Sequence, residues 1–198
     1  YNNSVIKQTI TIYDDFDRID VKNDIVWNEK NQILKALFPL NLLFDEVNYD
    51  IQFGHVSRNN HHNTPYDSAC FESVGHKWID ASENNYGFAI LNDGKYGFGS
   101  EENVLSISLL KSGSFPFDGA SEFIPSFTYS LYPHNGNLTN SDVIEKSYVL
   151  NRPLIGKNIC SAEGSENNYS FVECNNRGVY IDTIKRAMDE DAYVLRLY

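Results

Sequence analysis

Apolar side chains return at every second position along most of this chain, the period of a strand with one buried face. Val5 to Tyr13 sets Ile6, Ile10 and Ile12 on even positions, and Phe16 to Trp27 sets Ile19, Val21, Ile25 and Trp27 on odd ones. The run Ile33 to Phe44 resembles an amphipathic helix, but Pro39 inside it opposes one. An extended strand with a bulge is expected there instead. Val47 to Phe53 follows at hairpin distance, and Trp78 leads into Tyr86 to Leu91. Asn92-Asp93-Gly94-Lys95 then turns the chain, as Asp-Gly does in tight turns. Strands are also expected at Val104 to Leu110, Phe123 to Pro133, Ile144 to Leu150, Tyr169 to Cys174, Val179 to Ile184 and Ala192 to Tyr198. No internal repeat interrupts the series. The least patterned stretch, 151–168, is the best internal boundary.

A succession of strands with turn signals every 8–15 residues or so predicts an all-β fold of packed antiparallel sheets. About a dozen strands is too many for a simple immunoglobulin-like module, so a large double sheet spanning 1–198 as one domain is expected. The 12 Phe, 13 Tyr and 2 Trp suit strands. The formal charge of −11 leaves no basic stripe for nucleic acid and disfavours an anionic membrane surface. No run of about 18 apolar residues is present to span a bilayer. Cys70, Cys160 and Cys174 have no CxxC spacing and form no disulfide framework, which favours a reducing, cytoplasmic setting. A Cys160–Cys174 bridge is the dissenting possibility. Opening at Tyr1 and stopping at Tyr198 in mid-strand, the chain reads as a piece of a longer polypeptide.

Polar chemistry concentrates between Phe53 and Tyr96, where four of the five histidines fall. His61 and His62 are adjacent in an Asn-rich loop near Asp67, but convergent metal ligation needs three or four donors at suitable spacing, and no HxH or HExxH occurs. Satisfied loop histidines are the plainer reading, and no metal site is expected in this chain. The carboxylate runs at Asp14–Asp17, Glu101-Glu102 and Asp189–Asp191 read as solvated turns. Asp67, Asp80 and Glu83 obey no spacing rule that would pair them across a glycosidic bond. Ser68, Ser73 and Ser82 lack a nucleophile elbow. Aromatics remain: Tyr66, Trp78, Tyr86, Tyr96 and Phe98 are either core or a sugar-stacking surface. The turn Asn92–Gly97 is where exposure is most expected.

The runs Ile51–Val56, Arg58, His61, Asn63-Thr64, Asp67, Phe71-Glu72, His76–Asp80, Tyr86-Gly87, Leu91–Asp93 and Lys95–Gly97 continue through Leu105 to Leu110 and Phe127–His134 to Val194–Tyr198. In this order they resemble the C-terminal β region of glycoside hydrolase family 38 α-mannosidases, in the branch with bacterial and cytosolic members. Arg58-Asn59-Asn60-His61 stands where the family pattern has Arg-Pro-Thr-His, and Tyr66 where it has tryptophan. Lys111 stands where an arginine is common, a point charge in place of a bidentate fork.

The resemblance implies a galactose-mutarotase-like supersandwich. It also implies a retaining exo-glycosidase acting on terminal α-mannose, with zinc or another divalent metal. Its carboxylates and metal ligands would lie in an N-terminal catalytic domain outside these residues, so the catalytic set here is none and no cofactor is expected in this chain. Arg58, His61, Asn63, Asp67, Asn92, Asp93, Lys95, Tyr96 and Lys111 become candidates for the wall of the substrate cleft. The expected partners are that catalytic domain and an α-mannoside, with homo-oligomerisation open. Two rivals stand beside this reading: a stand-alone carbohydrate-binding module, and a scaffold that never touches sugar. A large apolar face matching an absent partner would favour the mannosidase piece.

Overall fold

The computed structural model describes residues 3–115, 126–158, 168–176 and 178–198. They form two compact units, Tyr1–Leu154 and Ile155–Tyr198, whose boundary falls within the least patterned stretch, 151–168. In chain order the elements of the first unit are β1 (Val5–Ile12), β2 (Ile19–Val26), β3 (Gln32–Pro39), β4 (Glu46–Ile51), β5 (Gly54–Asn59), the short helix α1 (Pro65–Ala69), β6 (Ser73–Val74), β7 (Trp78–Glu83), β8 (Tyr86–Asn92), β9 (Gly97–Glu101), β10 (Val104–Ser112), β11 (Phe127–Asn135) and helix α2 (Val143–Asn151). A 3-10 turn at Leu138–Asn140 precedes α2. The second unit holds the antiparallel pair β12 (Ile181–Arg186) and β13 (Tyr193–Leu197).

Seven strands make one antiparallel sheet in the order β1-β2-β11-β8-β7-β4-β5, and four make another in the order β3-β10-β9-β6. The alternation seen in the sequence gives each sheet one apolar face, and these faces pack together. Val21, Ile79 and Ile90 of the large sheet meet Phe98, Leu105 and Ile107 of the small one. Burying each such side chain stabilises by about 1.5–3 kcal/mol. The fold is an all-β antiparallel sandwich, as expected. The large sheet's outer face is covered by α2: Trp78, Ala89, Leu91 and Tyr132 enclose Leu138 and Val143. Pro133 is tolerated within β11 because pairing with β2 ends at Leu131, leaving no donor to lose on that side.

Three local expectations fail. Ile144 to Leu150 is helical, with Val143 and Ser147 buried one turn apart. An i,i+4 pair, Lys146–Asp142 at 3.5 Å, lies along α2. Tyr169 to Cys174 forms no strand; the Ser170 hydroxyl donates to the Val172 carbonyl at 2.9 Å, a local bond that competes with pairing. The bulge lies on β10, where the register shifts between Ser108 and Leu110, and β3 opposite it is regular. Strands β5, β6 and β9 went unforeseen, because Gly54–Asn59 offers only Val56 to a core and Gly97–Glu101 carries two glycines. The expected strand start at Phe123 and the residue Cys160 lie outside the described residues.

Candidate functional site

Two features bring chemistry together on the first unit. A cavity of about 260 Å³ opens among the β4–β5 hairpin, α1 and strands β6 and β9. Tyr49 and Arg58 line one side, His62 and Asp67 another, and Glu72 and Ser100 a third. The hairpin closes through Phe53 in the left-handed region, φ 58°, which sets β5 back along β4 in a register pairing Val47 with Arg58. The Arg58 guanidinium lies 5.8 Å from the Tyr49 ring centre, and its Nε is buried without a hydrogen-bond partner. Burial pushes the Tyr49 hydroxyl pKa upward, against the bond it makes to Ser100 at 3.4 Å.

Asp67 is positioned by a capping box. The Thr64 hydroxyl accepts from the Asp67 amide at 3.1 Å and donates to the Asp67 carboxylate at 2.6 Å, while the Thr64 amide donates to the same carboxylate at 3.2 Å. These bonds to Thr64 hold the carboxyl below the usual range, helped by His61 at 3.8 Å. His62 Nδ1 reaches the Asp67 carbonyl at 3.2 Å, and the Asn63 amide reaches His61 Nδ1 at 3.5 Å. Burial drives Glu72 upward, but the Lys35 ammonium at 2.5 Å, the Ser108 hydroxyl and the charge of Lys111 outweigh it and hold it low. Lys111 therefore belongs to this neighbourhood through Glu72.

The second feature is the corner from β8 to β9, which carries the chain from the large sheet to the small one. The expected turn exists, yet it is no hairpin, and its first residue is fully buried. Asn92 Oδ1 accepts from the amides of Gly94 at 2.9 Å and Lys95, its Nδ2 donates to the His76 carbonyl at 2.8 Å, and its carbonyl accepts from Asn151 at 2.9 Å. Gly94 at φ 153° supplies a backbone angle that side chains oppose. Both Asp93 oxygens accept from the Thr128 amide at 2.9 Å, tying the corner to β11. Lys95 Nζ lies 4.1 Å from the Phe127 ring centre, and burial pulls its pKa down although Asp93 opposes this. Tyr96 is exposed and meets His76 edge-on at 5.5 Å.

The candidates thus divide. Arg58 and Asp67 line the cavity, His61 and Asn63 adjoin it beside Asp67, and Lys111 acts on its Glu72 through charge, while Asn92, Asp93, Lys95 and Tyr96 form the corner. Segment Ser73–His76 joins the two, since Ser73 lines the cavity and the Gly75 amide bonds the Tyr96 carbonyl at 3.2 Å. Of the five aromatics, Trp78 and Phe98 are core, and Tyr66, Tyr86 and Tyr96 are exposed.

Sequence reasoning missed the buried pair Asp80–His134, whose Oδ1 and Nε2 stand 2.6 Å apart. Their strands flank β8, and the His134 ring crosses it over Gly87, where an added Cβ would lie 2.3 Å from the ring. Burial lowers the His134 pKa, but the Asp80 bond and charge outweigh it and the net shift is upward. A glycine paired with a histidine across strands was the available signal.

Among the described residues no three His, Cys, Asp or Glu side chains converge as metal ligands, so the donor set does not fit a resident divalent ion. No helix among them is long and apolar enough to cross a membrane.

The described residues thus form an all-β sandwich that carries a polar cavity and a corner with a half-buried lysine. Residues 1–118 match the Glycosyl hydrolases family 38 C-terminal domain, and the chain belongs to that family. Over 99% of its length the chain is 39% identical to Alpha-mannosidase G of Dictyostelium discoideum and 34% identical to Alpha-mannosidase 2C1 of Homo sapiens. It spans only 18% and 19% of those proteins. An alpha-mannosidase from Enterococcus faecalis shares the fold, with TM-score 0.86 over 97% of this chain and 23% of that one, at 16% identity.

Proposed function

We propose that these residues are the non-catalytic C-terminal β-sandwich of a retaining, metal-dependent α-mannosidase that removes terminal α-D-mannose. The observation that carries this reading is the end-to-end likeness to two α-mannosidases more than five times as long. The rest of such a polypeptide would supply the reacting carboxylates and a divalent ion, zinc by family likeness, in a cytoplasmic enzyme. This sandwich packs on that catalytic domain and walls its cleft. Lys95, held half-buried beside Asp93, and the Asn92-pinned corner present donors suited to sugar hydroxyls. Arg58, His61, Asn63, Asp67 and Lys111, about the cavity, form the second stretch of wall. The residues here bind and orient, and bond cleavage lies outside them.

The full polypeptide is expected to hydrolyse an aryl α-mannoside with added zinc, and residues 1–198 alone are expected to be inactive. Lys95→Ala in the full enzyme should lower kcat/KM by about tenfold or more, while the exposed Lys185→Ala leaves it unchanged. Equal kinetics for the two variants would remove the corner from the cleft. The cavity keeps a carbohydrate-binding role in view as a second reading. A saturable micromolar fluorescence response of residues 1–198 to mannose would favour it, and the mannosidase reading expects little change at millimolar sugar.

A further inference from the structure

The two sheets of the sandwich are unequal, and the mismatch falls on one side. β1 is an edge strand of the large sheet, with Ile10 in register with Val21 and Ile6 with Ile25. Residues directly opposite in an antiparallel pair project from the same face, so the even positions of β1 continue the face that carries the core. Val21 and Ile25 are 5% and 9% exposed, whereas Ile6, Ile10 and Ile12 are 44%, 63% and 75% exposed. Between them Gln8 is satisfied, its amide donating to Asn23 at 2.8 Å. An isoleucine row that belongs to the inside of a sandwich therefore has no layer over it among the described residues.

The small sheet shows the complementary defect. β3 is its free edge, and the inward residues Leu34, Ala36 and Phe38 pack on the core while staying only partly buried. Phe38 meets Tyr129 edge-on at 5.7 Å, and Tyr129 is registered beside Val21. The small sheet's cover thus reaches β11 and the buried Val21 and Ile25 of β2, leaving β1 beyond its edge.

We propose that the free edge of β3 is continued by strands from the part of the polypeptide outside these residues, and that their inward apolar side chains cover Ile6, Ile10 and Ile12. Strands spaced about 4.8 Å apart make one or two the number that reaches past β1. An unpaired edge beside an apolar shelf is a template for added strands. The shelf presents no uncompensated charge to be desolvated, which suits a β-strand of alternating apolar residues rather than a sugar or an ionic partner. The likeness to proteins of which this chain is less than a fifth makes such a segment available in cis, at high effective concentration. The inference rests on the mannosidase reading for that remaining chain, yet it is tested separately.

Hydrogen exchange of the full polypeptide, read by mass spectrometry, is the test. Amides of Gln32–Pro39 are expected to exchange within about tenfold of those in the central strand Tyr86–Asn92. Faster exchange would overturn the proposal, and so would protection that disappears on dilution from dimer to monomer, which would assign the shelf to a second copy. Ile10→Lys should lower the Tm by about 4 °C or more, and Thr9→Gln, on the opposite face beside Lys22, should leave it within about 1 °C. Equal shifts for the two would also refute it. Aryl α-mannosidase activity of the same preparation reports on the mannosidase reading whatever the exchange shows.

Discussion

Gly87 shows how much one missing side chain can organise. Its bare backbone lets the His134 ring cross β8 to Asp80, and both partners are nearly sealed from water, with side chains 2% and 0% exposed. Gly87→Ala must displace the ring, and leaving a buried charge without its partner costs about 3–5 kcal/mol. A large drop in the thermal midpoint is the expected result, and a midpoint equal to wild type would show that the ring has another route. The same pair sets a pH dependence. His134 has its folded pKa raised above the ordinary value, so its contribution is fully present below about pH 6.5 and is lost as pH rises through the higher folded value. Wild type should therefore lose stability relative to His134→Gln between pH 6 and pH 9, as followed by urea unfolding. The opposite trend would mean the imidazole is neutral in the fold.

At the scale of elements, the corner from β8 to β9 joins sheets where a hairpin would have joined neighbours. Asn92 makes this possible by replacing strand partners with side-chain bonds to the Gly94, Lys95 and His76 backbones. Asn92→Ala should destabilise the sandwich by about 2–3 kcal/mol through the groups left unsatisfied. Loss of activity in that variant would then accompany loss of stability, whereas Lys95→Ala should affect kinetics with the midpoint little changed. Denaturation curves beside kcat/KM for both variants separate the two roles. The α2 segment teaches a related lesson. Ile144, Tyr148, Val149 and Leu150 satisfy a strand pattern in isolation, but the apolar outer face of Trp78, Leu91 and Tyr132 takes a helix with Val143 and Ser147 turned inward. A short apolar run fits either period, and the surface it must cover decides between them.

For the molecule as a whole, the large sheet outgrows the small one, and the surplus is apolar. A sandwich complete in itself would bury the inward rows of both sheets, yet Ile10 and Ile12 of β1 stay exposed. On the mannosidase reading proposed above, the rest of the polypeptide would cover this row. A net charge of −11 opposes self-association through such a surface. Residues 1–198 prepared alone should consequently bind a hydrophobic dye more strongly than the full polypeptide. Equal binding would indicate that the shelf stays open in the intact protein.

The sequence by itself determined the all-β class, most strand positions and the family, because period-two alternation is local and long ordered motifs are specific. It also brought forward Arg58, Asp67 and Lys95 as polar residues in a strand-rich stretch, without showing that the cavity gathers the first two and the corner the third. Only the tertiary structure decided which strands share a sheet, that Asn92 is a buried fastener, and that Asp80 and His134 meet across 54 positions of chain. The physical reason is range. Alternation and turn chemistry act over a few residues, whereas sheet order, burial and charge pairing are set by contacts between segments whose separation along the chain carries no record of their meeting.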